Sequence, residues 1–204
     1  YTPTEKRLGV LLNINGTGIL NRWIKNITGD KYDYRQINEL ASQVNPGSDG
    51  LRIFPFGNGA ERMLNNRTVN AQIREINFNI HSTAHIYRAA QEGIAFAFRY
   101  GLDIMRTNGI NPSLVRAGKA NMFLSELFAQ SFVNTTGLSV ELYNGDGSVG
   151  AAIGAGLGSG IYINPKEAFQ HFKAISKIEP NKEKAAVYQD LYEDWKKELI
   201  KAIE

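Results

Sequence analysis

Two short apolar runs, each closed by small residues and followed by helical periodicity, constrain this chain more than any other feature. The first is Ser113 to Val115, which leads into Arg116-Ala-Gly-Lys-Ala-Asn-Met-Phe-Leu124; Leu124, Leu127 and Phe128 then recur at helical spacing. The second is Leu138 to Leu142, which passes through Gly145-Asp-Gly147 into a stretch of glycine and alanine reaching Ala155. A strand that turns straight into a helix leaves free backbone N–H groups and the positive end of a helix dipole aimed at one spot, which suits a phosphate. Two such crossovers side by side predict a nucleotide cradle.

The other segments fit the same layered pattern. Lys6 to Ile14 alternates, with Leu8, Val10, Leu12 and Ile14 on one face, and reads as a strand. Asn15-Gly-Thr-Gly18 is a turn, and Ile19 to Thr28 a short helix expected to carry Trp23 and Ile27 inward. Tyr34 to Gln43 is a second helix, stopped by Asn45-Pro-Gly-Ser-Asp-Gly50. Leu51 to Phe56 is a strand that runs into the polar loop Gly57-Asn-Gly-Ala-Glu-Arg62. The longest helix spans Ser82 to Asn108. Its stripe of Ile86, Ala90, Gly93, Ala97, Gly101 and Met105 places small residues four apart, where another backbone can approach closely. A final helix, Asn181 to Ile203, buries Tyr188, Leu191, Tyr192, Trp195 and Leu199. Strands alternating with helices imply an α/β domain.

Composition narrows the chemistry. The chain has 204 residues, 43% of them hydrophobic and 21% charged, enough for one good core. It has no cysteine, so a disulfide, a zinc–thiolate site and a cysteine nucleophile are all excluded. The net charge is +3, and the lysines near the C-terminus alternate with acidic residues as on a solvated helix face, so no nucleic-acid partner is expected. No apolar run reaches membrane-spanning length and no export signal is legible, so no membrane partner and a cytoplasmic location are expected. The missing initiator methionine suggests a piece of something larger.

Taken in order, these residues resemble the C-terminal domain of the FGGY carbohydrate kinases, especially the xylulokinase branch. The resemblance rests on Asn15-Gly-Thr-Gly followed by Trp23, Phe54-Pro-Phe with Gly59-Ala-Glu-Arg62, Arg88-Ala-Ala-Gln-Glu-Gly-Ile-Ala-Phe96, Ala117-Gly-Lys-Ala-Asn121, Gly150-Ala-Ala, and the terminal helix with Tyr188 and Tyr192. It covers nearly the whole chain, and no one motif decides it. It implies a ribonuclease-H-like fold of the sugar kinase/actin-like ATPase superfamily, lacking its first strands. Residues 1–180 would be the α/β core and 181–204 the terminal helix. It also implies one wall of a cleft for ATP or ADP, with the sugar held mainly by an N-terminal domain. The catalytic aspartate and the ligands of Mg²⁺ would precede this chain, which on its own would be inactive. The sugar implied is D-xylulose. A non-catalytic nucleotide-binding regulatory or assembly domain of the same superfamily is the alternative.

The resemblance marks Gly16, Gly18 and Arg22 as the first nucleotide-contacting turn, and Ala117, Gly118, Lys119 and Asn121 as the adenosine loop, with Asn121 beside adenine. Arg116 and Ala117 stand where glycines are common in the family, and an alanine there requires a negative φ. Each residue also has a plainer reading. Gly16 and Gly18 suit an ordinary turn, Gly118 and Asn121 a strand-to-helix connection with a capping asparagine, and Arg22 a solvated helix charge. Asp146 reads as a turn former, Glu92 as half of a structural ion pair, and His81 and His85 as helix-start residues rather than metal ligands. Glu61 and Arg62 belong either to solvent or to the rim of a cleft. A domain without its first strands would bare the edge beside Leu8 to Ile14, so this edge is expected either to be covered by a second chain or to pair with its own symmetry mate, as in a homodimer.

Overall fold

A computed structural model describes residues 9–145 and 147–204 of the chain. Helices α1 (Thr17–Ile27) and α2 (Tyr34–Ser42) come first, followed by a hairpin of β1 (Arg52–Phe56) and β2 (Asn70–Arg74) and by the long helix α3 (Thr83–Thr107). Then come β3 (Leu114–Gly118), α4 (Glu126–Thr136), β4 (Ser139–Tyr143), α5 (Gly147–Gly158), the single turn α6 (Pro165–Ala168), β5 (Ala174–Ile178) and α7 (Lys182–Ile203). β1 and β2 pair antiparallel; β3 and β4 pair parallel, and β5 joins β4 antiparallel.

α3 is the spine, for the reason its small residues give. A Cβ on Gly93 would lie 2.3 Å from the carbonyl oxygen of Ile53, so only glycine lets the helix settle onto β1. Strand alternation then sends Ile53 to one core and Phe54 and Phe56 to another. The first core joins Leu20 and Ile24 of α1, Ile37 of α2, Ile94 of α3, Phe128 and Phe132 of α4, and Val140 and Leu142 of β4. The second is built on α7, whose Tyr188, Tyr192, Trp195 and Leu199 pack on Phe96 and on β1. Trp195 meets Phe54 edge-on at 5.3 Å between ring centres and donates its indole N–H to the Ile53 carbonyl at 3.0 Å.

Helix starts follow the capping rules. Asp33 and Gln36 bond reciprocally at the head of α2, Ser125 accepts from the Phe128 amide at the head of α4, and Asn181 accepts from the Lys184 amide at the head of α7.

Several expectations need correction. Residues 9–14 form no strand, and Lys6 and Leu8 lie outside the described residues. Leu12 and Ile14 do turn inward, Leu12 against Gly101, but the segment pairs with no strand among the described residues. The edge on which a covering second copy was placed is therefore not formed by residues 9–14. In α1 the inward face is Leu20 and Ile24, at 6% and 1% exposure; Trp23 and Ile27 point outward at 49% and 54%. The first crossover also differs. β3 runs through Ala117 and Gly118, a 3₁₀ turn occupies Asn121–Leu124, and the helix starts only at Glu126. The Asp146 turn lies outside the described residues. Among the described residues no helix is long and apolar enough to cross a membrane.

Candidate functional site

The parallel pairing of β3 and β4 sets Gly118 level with Tyr143, and the Lys119 amide donates to the Tyr143 carbonyl at 2.9 Å. Both crossovers therefore leave the sheet together, at the carboxyl ends of its parallel strands, where α/β sheets hold ligands. A cavity of about 700 Å³ opens there. Its walls are Thr17, Gly18 and Asn21 of α1, Tyr34 and Asn38 of α2, Phe98 of α3, Ala117 and Gly118 of β3, the connection from Ala120 to Ser125, Phe128 of α4, and Gly147 at the start of α5. No described residue of this lining carries a charge. Phe98, Met122, Phe123 and Phe128 give it apolar surface, and Asn21, Asn38 and Asn121 give it amide edges.

Local chemistry explains how the walls are held. Asn15 is tied to the loop after β1 in three ways: its amide donates to the Glu61 carboxylate at 3.0 Å, its side chain donates to the Ala60 carbonyl at 2.9 Å, and its carbonyl accepts from Asn58 at 3.0 Å. Glu61 is fully buried, and burial raises its carboxyl pKa while the Asn15 amide pulls it back. That clamp places the start of α1. Gly16 then lies directly on β1, where a Cβ would be 1.4 Å from the Pro55 carbonyl oxygen. On the other wall Asn121 has φ +51°, a left-handed conformation that asparagine tolerates better than most residues. Ala117 keeps a negative φ, as a strand residue should. Arg116 points away from the cavity, and its Nε pairs with Glu141 of the neighbouring strand at 3.2 Å.

The seven residues singled out in the sequence therefore divide. Gly18, Ala117, Gly118 and Asn121 line the cavity. Gly16 does not line it and instead seats α1 on β1. Lys119 spends its backbone on the sheet, and the exposed Arg22 side chain makes no hydrogen bond or ion pair among the described residues. The sequence reading missed Thr17, Asn21, Tyr34 and Asn38. A usable signal existed: Thr17 and Asn21, like Tyr34 and Asn38, are four apart and share a helix face with each other. Away from the cavity, Glu92 pairs with Arg88 at 2.8 Å as a buried structural link. His85 caps the start of α3 through Ser82 and reaches Asp49 at 3.1 Å. Among the described residues no group of three or more His, Asp or Glu side chains is placed to hold a metal.

No protein-family model matches the chain. It is 30% identical over 166 residues to a xylulose kinase of Haemophilus influenzae, a match covering 79% of this chain and 33% of that protein. Its structure superposes on that of a Rhodospirillum rubrum xylulose kinase with a TM-score of 0.75 and 25% identity, over 88% of this chain and 37% of the other. It superposes on a Plasmodium falciparum glycerol kinase solved with ADP with a TM-score of 0.70 and 20% identity, over 92% of this chain and 37% of the other. The chain thus spans about a third of the length of the curated relatives it matches. Its fold is that of the sugar kinases, ribonuclease-H-like with mixed helix and sheet. The chain belongs to the FGGY carbohydrate kinase family, whose C-terminal region it matches.

Proposed function

We propose that this chain is the nucleotide-side half of an ATP-dependent carbohydrate kinase, in which the γ-phosphoryl group of ATP passes to a sugar hydroxyl. The observation that carries the reading is the part-apolar cavity at the ends of β3 and β4, uncharged among the described residues and edged by Gly18, Gly118 and Asn121. A neutral lining with aromatic and amide edges suits a base and ribose better than a triphosphate. We therefore place the adenosine there and the phosphates outward, toward the backbone at Gly147. D-xylulose is the sugar that the similarity to xylulose kinases favours, held by residues outside this chain, as are the groups that bind Mg²⁺ and accept the hydroxyl proton. Phosphoryl transfer needs all of these in place at once, so this chain on its own binds nucleotide without turning it over.

Gly18 supplies the test. It is the second residue of α1, with nothing within 4 Å of where its Cβ would stand, so a leucine there projects into open space at the cavity wall. Gly18→Leu is expected to weaken ADP binding at least tenfold in calorimetric titration of the purified chain. It should leave thermal stability unchanged or raise it by about 0.5–1 kcal/mol through better helix propensity. Absence of any saturable ADP binding by the unmodified chain would sink the reading.

A further inference from the structure

We infer that Asn38 is a base-reading residue of the nucleotide site, presenting its side-chain amide as a hydrogen-bond donor to an acceptor on the purine. This rests on the nucleotide reading above and deepens it.

The inference comes from a line of hydrogen bonds under the cavity floor. Gln91 sits in the middle of α3 with no solvent exposure, an unusual place for an amide. Its Oε1 accepts from the Ser125 hydroxyl at 2.8 Å, and its Nε2 donates to Asn38 Oδ1 at 2.9 Å. Ser125 Oγ in turn accepts from the Phe128 amide at 3.1 Å. The polarity of this line is set from one end. A backbone amide can only donate, so Ser125 accepts there, and its own buried proton finds its acceptor in Gln91 Oε1. Gln91 must then accept with oxygen and donate with nitrogen, and Asn38 must present oxygen to it. Reversing the Gln91 amide would set its oxygen against the Asn38 oxygen and its NH₂ against the Ser125 hydroxyl, and reversing both amides would still leave the buried Ser125 proton without its acceptor. The Asn38 amide is thereby locked with its oxygen inward.

Locking one edge of a planar amide commits the other. Nδ2 points away from Gln91, and Asn38 is one of the residues lining the cavity. Its N–H groups have no partner among the described residues. A donor fixed through four residues at the wall of an otherwise neutral cavity can satisfy an acceptor of a bound molecule. A ring nitrogen of a purine is such an acceptor, and the aromatic lining beside it at Tyr34 and Phe123 suits the purine faces.

Two substitutions with opposite structural consequences test this. Asn38→Asp keeps an oxygen for Gln91 to donate to, so the variant should melt close to the unmodified chain. Asn38→Leu removes that oxygen along with the donor, leaving Gln91 Nε2 buried without a partner, and should melt lower. Neither retains the donor. Both are expected to bind ADP about tenfold more weakly than the unmodified chain when titrated below their melting temperatures. If Asn38→Asp loses affinity but Asn38→Leu does not, the carboxylate is repelling phosphate and the inference is overturned. If the unmodified chain binds ADP and Asn38→Asp binds it equally well, Asn38 does not read the base, while the nucleotide reading stands. If the unmodified chain itself fails to bind ADP, both fall together.

Discussion

Replacing Glu92 with alanine should cost about 3–5 kcal/mol, because it strands the Arg88 cation inside the protein. Glu92 and Arg88 lie one turn apart on α3, at 2% and 5% exposure. The carboxylate accepts from Arg88 Nε at 2.8 Å, from the Tyr188 hydroxyl at 3.1 Å, from the Gly47 amide at 3.1 Å and from the Ser48 hydroxyl at 3.3 Å. Arg88 in turn donates to the Val44 carbonyl at 2.7 Å and to the Tyr188 oxygen at 3.0 Å. Burial pushes the Glu92 carboxyl above the ordinary carboxylate range, and Arg88 does most to pull it back. Tyr188, buried beside that carboxylate, is pushed up to about 12. One network therefore joins α3, α7 and the loop after α2. For a chain of this size the loss corresponds to roughly 6–20 °C in melting temperature. A paired replacement, Glu92→Leu with Arg88→Leu, should recover much of it, since two apolar side chains leave no buried charge alone. A drop below about 3 °C for Glu92→Ala would show that the network is not a stabilising link.

The second large effect is expected at Gly16. Alanine there would put a Cβ 1.4 Å from the Pro55 carbonyl oxygen and 2.6 Å from its carbon, both backbone atoms of a paired strand. No rotamer relieves such a contact, so α1 must lift from β1. The cost should reach the top of the overpacking range, about 3 kcal/mol. Thr17 and Gly18 would move with α1, so ADP affinity should fall as well. The backbone φ of Gly16 is −98°, which any residue adopts, so the penalty is steric and not conformational. Thermal melts and calorimetry on Gly16→Ala check both parts; a wild-type melting temperature would refute the close packing.

Much of this arrangement was legible in the chain, and the gaps have physical causes. α3 could be read because its small-residue stripe and Ser82 cap are local, and Gly93 against Ile53 is what that stripe is for. β2 and β5 were not seen. Asn70–Arg74 and Ala174–Ile178 are mostly exposed and lack an alternating apolar face; they are strands because β1 and β4 offer them partners, a property of the neighbour. The rotation of α1 was misread because its sequence carries two apolar rows. Ile19, Trp23 and Ile27 are as hydrophobic as Leu20 and Ile24, and only docking on the first core chooses between them. The site was half legible. Glycines near turns announce themselves, whereas Asn21 and Asn38 look like ordinary surface asparagines until two helices bring them together. Gln91 was hidden for the same reason, since its value depends on Asn38 and Ser125 from distant parts of the chain.

Glu61 reaches from the connection between β1 and β2, where its amide bonds the Arg67 carbonyl at 3.1 Å, to the backbone of Asn15. The mouth of the cavity is thus moored to a segment that never touches it. Slackening that mooring, as by Glu61→Ala, should let the Asn15 amide exchange its hydrogen with solvent far faster, before any loss of the remaining helices is felt.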